Sequence, residues 1–147
     1  TSTLRIPTRG GVIESVSNVN PFKRIEAETI AWEEGVETTK DSKNGVYVTD
    51  INNGDYIKVR SVDFGTGAKI FEATVATNSL GGKIEIHVGS RDGCLLGVLE
   101  VKNTEGVLNW KTISCKVNKI KGIHDVFFVF KGGNGNLFNF DWWRFLK

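Results

Sequence analysis

What most constrains this chain is a two-residue alternation of apolar and polar side chains, repeated along most of its length and interrupted by glycine-rich turns. Phe71, Ala73 and Val75 alternate with Glu72 and Thr74, and Ile84, Ile86 and Val88 alternate with Glu85 and His87. Successive side chains of an extended strand point to opposite faces, so each run offers one face to a core and one to water. The turns fall at Gly65 to Gly67, Gly81-Gly82 and Gly89 to Gly93, where glycine supplies the backbone angles that a tight reversal needs. Roughly eight to ten short strands and no convincing helical stretch predict an all-β fold, an antiparallel β-sandwich of the jelly-roll type.

Residues 1–20 mix Ser, Thr, Asn and Gly without sustained periodicity before Pro21, which predicts a linker or the tail of a preceding domain. Residues 21–147 then form one sandwich domain. Ile25 and Ala27 face one way and Glu26 and Glu28 the other, a half-buried strand. Gly35 to Asn44 is polar and reads as a loop, Gly45 to Ile51 is extended, and Asn52-Asn53-Gly54-Asp55 is a turn. Beyond it Tyr56, Lys58 and Arg60 take the wet face, while Ile57 and Val59 turn inward. Ile113, Cys115 and Val117 also turn inward, which puts Trp110 on the outward parity unless a bulge moves it. Ile123 to Lys131 is almost continuously apolar and predicts a central strand covered on both sides. Asn136 to Lys147 reads as the last strand, with Phe138, Phe140 and Trp142 on one face and Asn139, Asp141 and Trp143 on the other.

A chain of 147 residues with 19 basic and 17 acidic side chains, net +2, fits one domain and has no field strong enough to make nucleic acid or an anionic membrane its partner. No apolar run is long enough to span a bilayer as a helix, and the first residues lack the hydrophobic stretch of a secretory signal. The absence of methionine makes an excised or mature piece the expectation. The two cysteines, Cys94 and Cys115, form neither a disulfide framework nor a metal cluster; they pair if neighbouring strands bring them together, or stay free thiols.

Glu26 and Glu28, two apart on one strand face, have roots roughly 7 Å apart and can converge on one cation. Asp141 completes the set if the chain ends pair, and three carboxylates with added carbonyls suit a hard cation such as calcium. The plainer reading of the two glutamates is the solvated face of an edge strand. The same carboxylates have separations a glycosidase acid and base could use, but an acid of that kind needs a burying pocket that nothing in the sequence suggests. His87 and His124 are isolated and read as structural. Lys116, Lys119, Lys121 and Lys131 read as a solvated face. Tyr47, Tyr56, Trp110 and Trp143 are the aromatics with polar neighbours; such rings stack on the apolar face of a pyranose while amides and carboxylates bond its hydroxyls.

The segments Asn20-Pro21-Phe22-Lys23-Arg24-Ile25-Glu26-Ala27-Glu28-Thr29-Ile30-Ala31-Trp32, Asn53-Gly54-Asp55-Tyr56-Ile57, Val62-Asp63-Phe64-Gly65, Gly122-Ile123-His124-Asp125 and Leu137-Phe138-Asn139-Phe140-Asp141-Trp142-Trp143 together resemble a family 6 carbohydrate-binding module. The likeness is greatest to the modules appended to family 43 arabinofuranosidases and xylosidases. The resemblance implies a jelly-roll sandwich without catalysis of its own, a structural calcium on Glu26, Glu28 and Asp141 helped by carbonyls near Lys43 to Val46, an extracellular location and a monomer. It maps the Glu and Asn of the family's loop-edge sugar cleft to Glu37 and Asn139. The cleft's two aromatic positions fall on Asp50 and Val107, which cannot stack on a sugar. Tyr47 or Trp110 then substitutes, or binding moves to the family's second cleft on the concave sheet face, where Tyr56 matches. The family's paired cysteines fall near Leu99 and Cys115, so the disulfide does not carry over.

The expected function is therefore a non-catalytic module that holds an attached glycoside hydrolase on xylan, arabinoxylan or a related β-linked polysaccharide, β-glucan included. The alternatives are a calcium-stabilised spacer or docking domain that has lost sugar binding, and a small glycosidase using Glu26, Glu28 or Asp141.

Overall fold

The computed structural model describes residues 18–27, 32–41 and 45–147. Eleven strands run in chain order: β1 (Ile25–Glu26), β2 (Trp32–Glu34), β3 (Glu37–Asp41), β4 (Gly45–Thr49), β5 (Tyr56–Asp63), β6 (Ala68–Thr77), β7 (Gly82–Val88), β8 (Cys94–Val101), β9 (Gly106–Ile120), β10 (Ile123–Gly132) and β11 (Asn139–Leu146). They form two antiparallel sheets. One has the order β3-β4-β11-β6-β9, with β1 also pairing with β11; the other has the order β2-β5-β10-β7-β8. This is the expected sandwich of jelly-roll type.

The alternation read from the sequence sets the inner faces. Phe71, Ala73 and Val75 of β6 and Ile84 and Ile86 of β7 are all buried, as are Val126, Phe128 and Phe130 of β10. β10 is the central strand expected from its apolar run, and its outward Phe127 and Val129 are buried too. On that outer side, among the described residues, the cover comes from side chains: Lys58 Nζ lies 5.4 Å from the Phe127 ring centroid and the Tyr56 ring lies 6.1 Å from it.

Three expectations change. Gly35 to Asn44 is not all loop, because Glu37–Asp41 forms β3, the outermost strand beside β4; an outer strand has one partner and tolerates a polar sequence. The last strand begins at Asn139 rather than Asn136. Its parity also breaks: Phe140 pairs with Val75 but Trp142 pairs with Thr74, so Asp141 is an extra residue against β6. A bulge of this kind switches the faces of all residues beyond it. Trp143, placed by strict alternation beside Asn139 on the polar face, is instead 1% exposed. Its ring sits 5.0 Å from Phe128 and 5.9 Å from Phe145.

Val19 bridges Val62, with its N–H donating to the Ser61 carbonyl at 2.9 Å and its own carbonyl accepting from Asp63 N–H at 2.9 Å. Pairing thus begins inside the stretch expected to be a linker, whose first seventeen residues lie outside the described ones. Cys94 is exposed, Cys115 is half-buried, and both are free; burial pushes the Cys115 thiol up.

The β4–β5, β6–β7, β8–β9 and β10–β11 connections meet at one end of the sandwich and are tied there by hydrogen bonds. Leu137 N–H donates to the Ile51 carbonyl at 2.7 Å, and the Leu137 carbonyl accepts from the hydroxyls of Thr77 at 3.0 Å and Ser79 at 3.1 Å. Thr104 Oγ1 accepts from Thr77 N–H at 2.9 Å, which fastens the β8–β9 loop to the same point.

The bulge makes a sharp prediction. Trp143→Ala should cost about 3–5 kcal/mol as a core truncation. Trp142→Ala should cost about 1 kcal/mol, because its ring is only partly buried and lies between Arg24 at 5.1 Å and Arg144 at 5.9 Å in cation–π contact. Urea denaturation of the two variants checks this; equal losses would contradict the face assignment.

Candidate carbohydrate-binding faces

The predicted site residues separate into two groups on opposite sides of the molecule. The first gathers where the six-stranded sheet meets the loops. Val48 of β4 is buried against Phe140, so alternation turns Tyr47 and Thr49 to the outer side. Glu37 on β3 is the direct partner of Thr49. The Thr49 hydroxyl donates to Asn139 Oδ1 at 2.7 Å, and Asn139 Nδ2 donates to the Val107 carbonyl at 2.8 Å.

Trp110 joins this group through a displaced stretch of β9. Val75 pairs with Lys111 while Thr77 pairs with Gly106, so residues 107–110 stand against Ala76 alone and are pushed out of the ladder. That displacement brings the Trp110 ring edge-on to Tyr47, with centroids 5.2 Å apart and planes at 73°. Trp110 Nε1 is buried without a hydrogen-bond partner among the described residues.

This end of the molecule therefore unites Glu37, Tyr47, Trp110 and Asn139, as expected. It does not present them as an open sugar cleft. Asn139 is 4% exposed, and both ends of its amide are engaged with protein. Tyr47 and Trp110 pack on each other rather than facing across a gap. Asp50 and Val107, at the positions where aromatics were expected, are exposed.

The second group lies on the outer face of the five-stranded sheet. Tyr56 pairs across to Val129 on β10 and Glu34 on β2. Its ring is half-buried: Phe127 lies beside it, and the Arg91 guanidinium sits 5.3 Å from its centroid. Its hydroxyl reaches Glu34 Oε2 at 3.5 Å, the outer limit of a hydrogen bond. Around it stand the ion pair of Lys58 with Asp125 at 3.7 Å and the contact of Glu85 Oε1 with His87 Nε2 at 3.1 Å.

Sequence reasoning did not single out Arg91 or Phe127 as neighbours of Tyr56. Phe127 lay within the continuous apolar run of β10, where both faces are apolar and neither stands out; Arg91 comes from the β7–β8 turn and carried no such signal. His87 has a structural role, with Nδ1 2.9 Å from the Gly93 carbonyl, and so does His124, with Nε2 2.7 Å from the Lys121 carbonyl. On the β2 edge, partial burial followed by the charges of Asp55, Glu34 and Glu37 pushes the Glu33 carboxyl above its ordinary range.

Two of the proposed metal ligands, Glu26 and Asp141, lie on paired strands. Ile25 pairs with Trp143 and Glu26 with Trp142, and Ala27 N–H donates to the Asp141 carbonyl at 2.8 Å. The chain ends thus meet as expected. Asp141 is 3% exposed, and Glu26 holds Arg24 Nε at 2.9 Å. Glu28 and part of the 43–46 stretch lie outside the described residues. Among the described residues no three His, Cys, Asp or Glu side chains converge.

The fold matches known proteins. A family model for carbohydrate binding module (family 6) matches residues 26–147. The arabinoxylan arabinofuranohydrolase of Bacillus subtilis (strain 168) is 48% identical over 142 residues, which are 92% of this chain and 28% of that protein. The chain thus spans less than a third of the length of this relative. A family 6 carbohydrate-binding module from Clostridium cellulolyticum, solved in complex with xylose, superposes with a TM-score of 0.85 at 39% identity, over 87% of this chain and 99% of that one. A β-1,3-glucan-binding module of the same family from Bacillus halodurans gives 0.83 at 38% identity, over 89% and 100%. The Glu26-to-Lys147 sandwich, with its loop-end cluster and its Tyr56 face, belongs to family 6 of the carbohydrate-binding modules, a family of non-catalytic binding domains.

Proposed function

We propose that this chain binds a xylan-type β-linked polysaccharide through the outer face of its five-stranded sheet, around Tyr56, and holds an attached glycoside hydrolase against that polymer outside the cell. One observation carries the choice of face. Asn139, the expected sugar ligand of the loop end, is buried with both amide ends bonded to protein, whereas the Tyr56 ring is half-exposed among polar groups. An aromatic ring stacks on the apolar face of a pyranose, and Glu34, Lys58, Arg91 and Glu85 supply donors and acceptors for hydroxyls. The choice of xylan draws on the relative named for arabinoxylan and on the similar module solved with xylose.

A second reading, a spacer that no longer binds sugar, is favoured by Asp50 and Val107, which leave the loop end without stacking aromatics.

The calcium assignment is part of the same proposal. β1 lies against β11 at Asp141, so the carboxylates of Glu26 and Asp141 sit on adjoining strands with backbone carbonyls beside them. This oxygen-only donor set is the kind a hard divalent cation takes. Glu28 would complete it, and Glu26 would exchange its contact with Arg24 for the ion. Calcium bound there would tie the two chain ends together.

Affinity electrophoresis through xylan and β-glucan gels tests the face. The chain should be retarded by xylan, and Tyr56→Ala should weaken that retention roughly five-fold, the worth of one stacked ring. Asn139→Ala should keep retention but lose about 1–3 kcal/mol of stability in urea, because it strands the Thr49 hydroxyl and the Val107 carbonyl. Unchanged mobility of the native chain in every gel would establish the spacer reading. A chelator should lower the melting temperature, since a ligand bound only by the native state stabilises it; an unaltered melt would remove the metal assignment.

A further inference from the structure

A cleft of about 420 Å³ opens at the loop end of the same five-stranded sheet, with Asn53, Leu80, Lys83, Glu100, Lys102 and Lys131 among its walls. Lys131 on β10 and Lys83 on β7 are direct cross-strand partners, and Glu100 on β8 is the partner of Lys83 on its other side. Like charges placed directly opposite each other on a sheet face repel. Three ammonium groups and one carboxylate leave the cleft at a net charge of +2. None of the three lysines has an ion-pair partner among the described residues. Asn53 Oδ1 accepts from Gly132 N–H at 3.1 Å, and its Nδ2 has no protein partner among those residues.

The cleft also has an apolar rim. Gly81 has φ +84°, and a side chain there would run into the Val101 carbonyl, so glycine alone lets the β6–β7 loop pass this close to β8. The residue before it, Leu80, is left 97% exposed beside the lysines. A cleft with cationic and amide donors and one aliphatic wall suits a ligand that carries a negative charge on an otherwise sugar-like body.

Position narrows the ligand further. Tyr56 is opposite Val129, and Lys131 follows on the same strand face two residues later, about 7 Å along β10. A glycan stacked on Tyr56 would bring its neighbouring unit or a branch to the lysines. We propose that this cleft is a subsite for the carboxylate of a uronic-acid unit on the bound glycan, with Lys83 and Lys131 as its charge partners and Leu80 against the ring. The proposal rests on the Tyr56-face reading.

Calorimetric titration of the whole chain with two probes, unsubstituted xylotetraose and xylotriose bearing one glucuronic acid, tests it. At low ionic strength the acidic probe should bind about three- to ten-fold more tightly, as expected for two partly exposed ion pairs. That advantage should vanish in about 0.5 M sodium chloride, where charges a few ångströms apart in water are screened. In the double variant Lys83→Gln/Lys131→Gln the acidic probe should fall to the affinity of the neutral one, while neutral binding and the melting temperature hold. Equal binding of both probes by the native chain, or a preference insensitive to salt or to the double variant, overturns the subsite alone. Failure of both probes to bind overturns the Tyr56-face reading and the subsite with it.

Discussion

A one-residue shift in register decides how the terminal strand is used. Because β11 carries one residue more than β6 between Phe140 and Trp142, Phe140 and Trp143 both turn into the core, and Trp142 is left outside between Arg24 and Arg144. The core that results is aromatic on both sheets: Phe71, Phe128, Phe140, Trp143 and Phe145 pack mostly edge to face or tilted, arrangements in which the ring quadrupoles attract. β11 also touches β1, β4 and β6. Its bulge therefore fixes the position of the N-terminal strand and of the loop end together.

Around Asn139 and Leu137 at the loop end, many of the polar groups that a ligand could use are consumed by the fold. The Leu137 carbonyl takes two hydroxyls, Ile51 N–H donates to Asn136 Oδ1 at 3.1 Å, and Asn139 spans from Thr49 to Val107. Each of these bonds satisfies a group that burial would otherwise leave costly. They make the four connections one rigid cap. The five-stranded sheet differs: its outer face carries Tyr56, Lys58, Arg91 and Glu85 around a buried Phe127, and among the described residues no further strand lies over them. In the proposed reading, recognition shifts from an edge where loops would grip a sugar to a floor over which a chain can lie.

Much of this was legible before the structure. Period-two runs named the inward residues of β6 and β7, a continuous apolar run marked β10 as a central strand, the Asn52-to-Asp55 turn was plain, and the strands of Glu26 and Asp141 do meet, the condition the metal reading needed. The failures have physical causes. β3 was hidden because an outer strand needs no apolar face, so Glu37, Thr38 and Thr39 look like loop. Trp143 was put on the wrong side because a bulge leaves no mark in composition. That the Asn139 amide also fastens Thr49 to the Val107 carbonyl shows only in its contacts, since one strand's sequence does not say what lies across from it. Lys131, in turn, looked like ordinary solvated surface; its alignment with Lys83 is a property of pairing between strands and cannot be seen along one of them.

The outermost strands carry a further consequence. β9 is fifteen residues long and among the described residues has β6 as its one ladder partner, which leaves a row of backbone donors and acceptors that could template an additional strand. Lys111, Lys116 and Lys119 stand exposed along it, and β3 at the opposite margin is polar throughout. A foreign strand approaching either margin would have to strip water from charged or polar groups before it gained a single ladder bond. On a polymer surface that gathers many copies of such a domain, that toll keeps crowding from turning into fibrillar self-assembly.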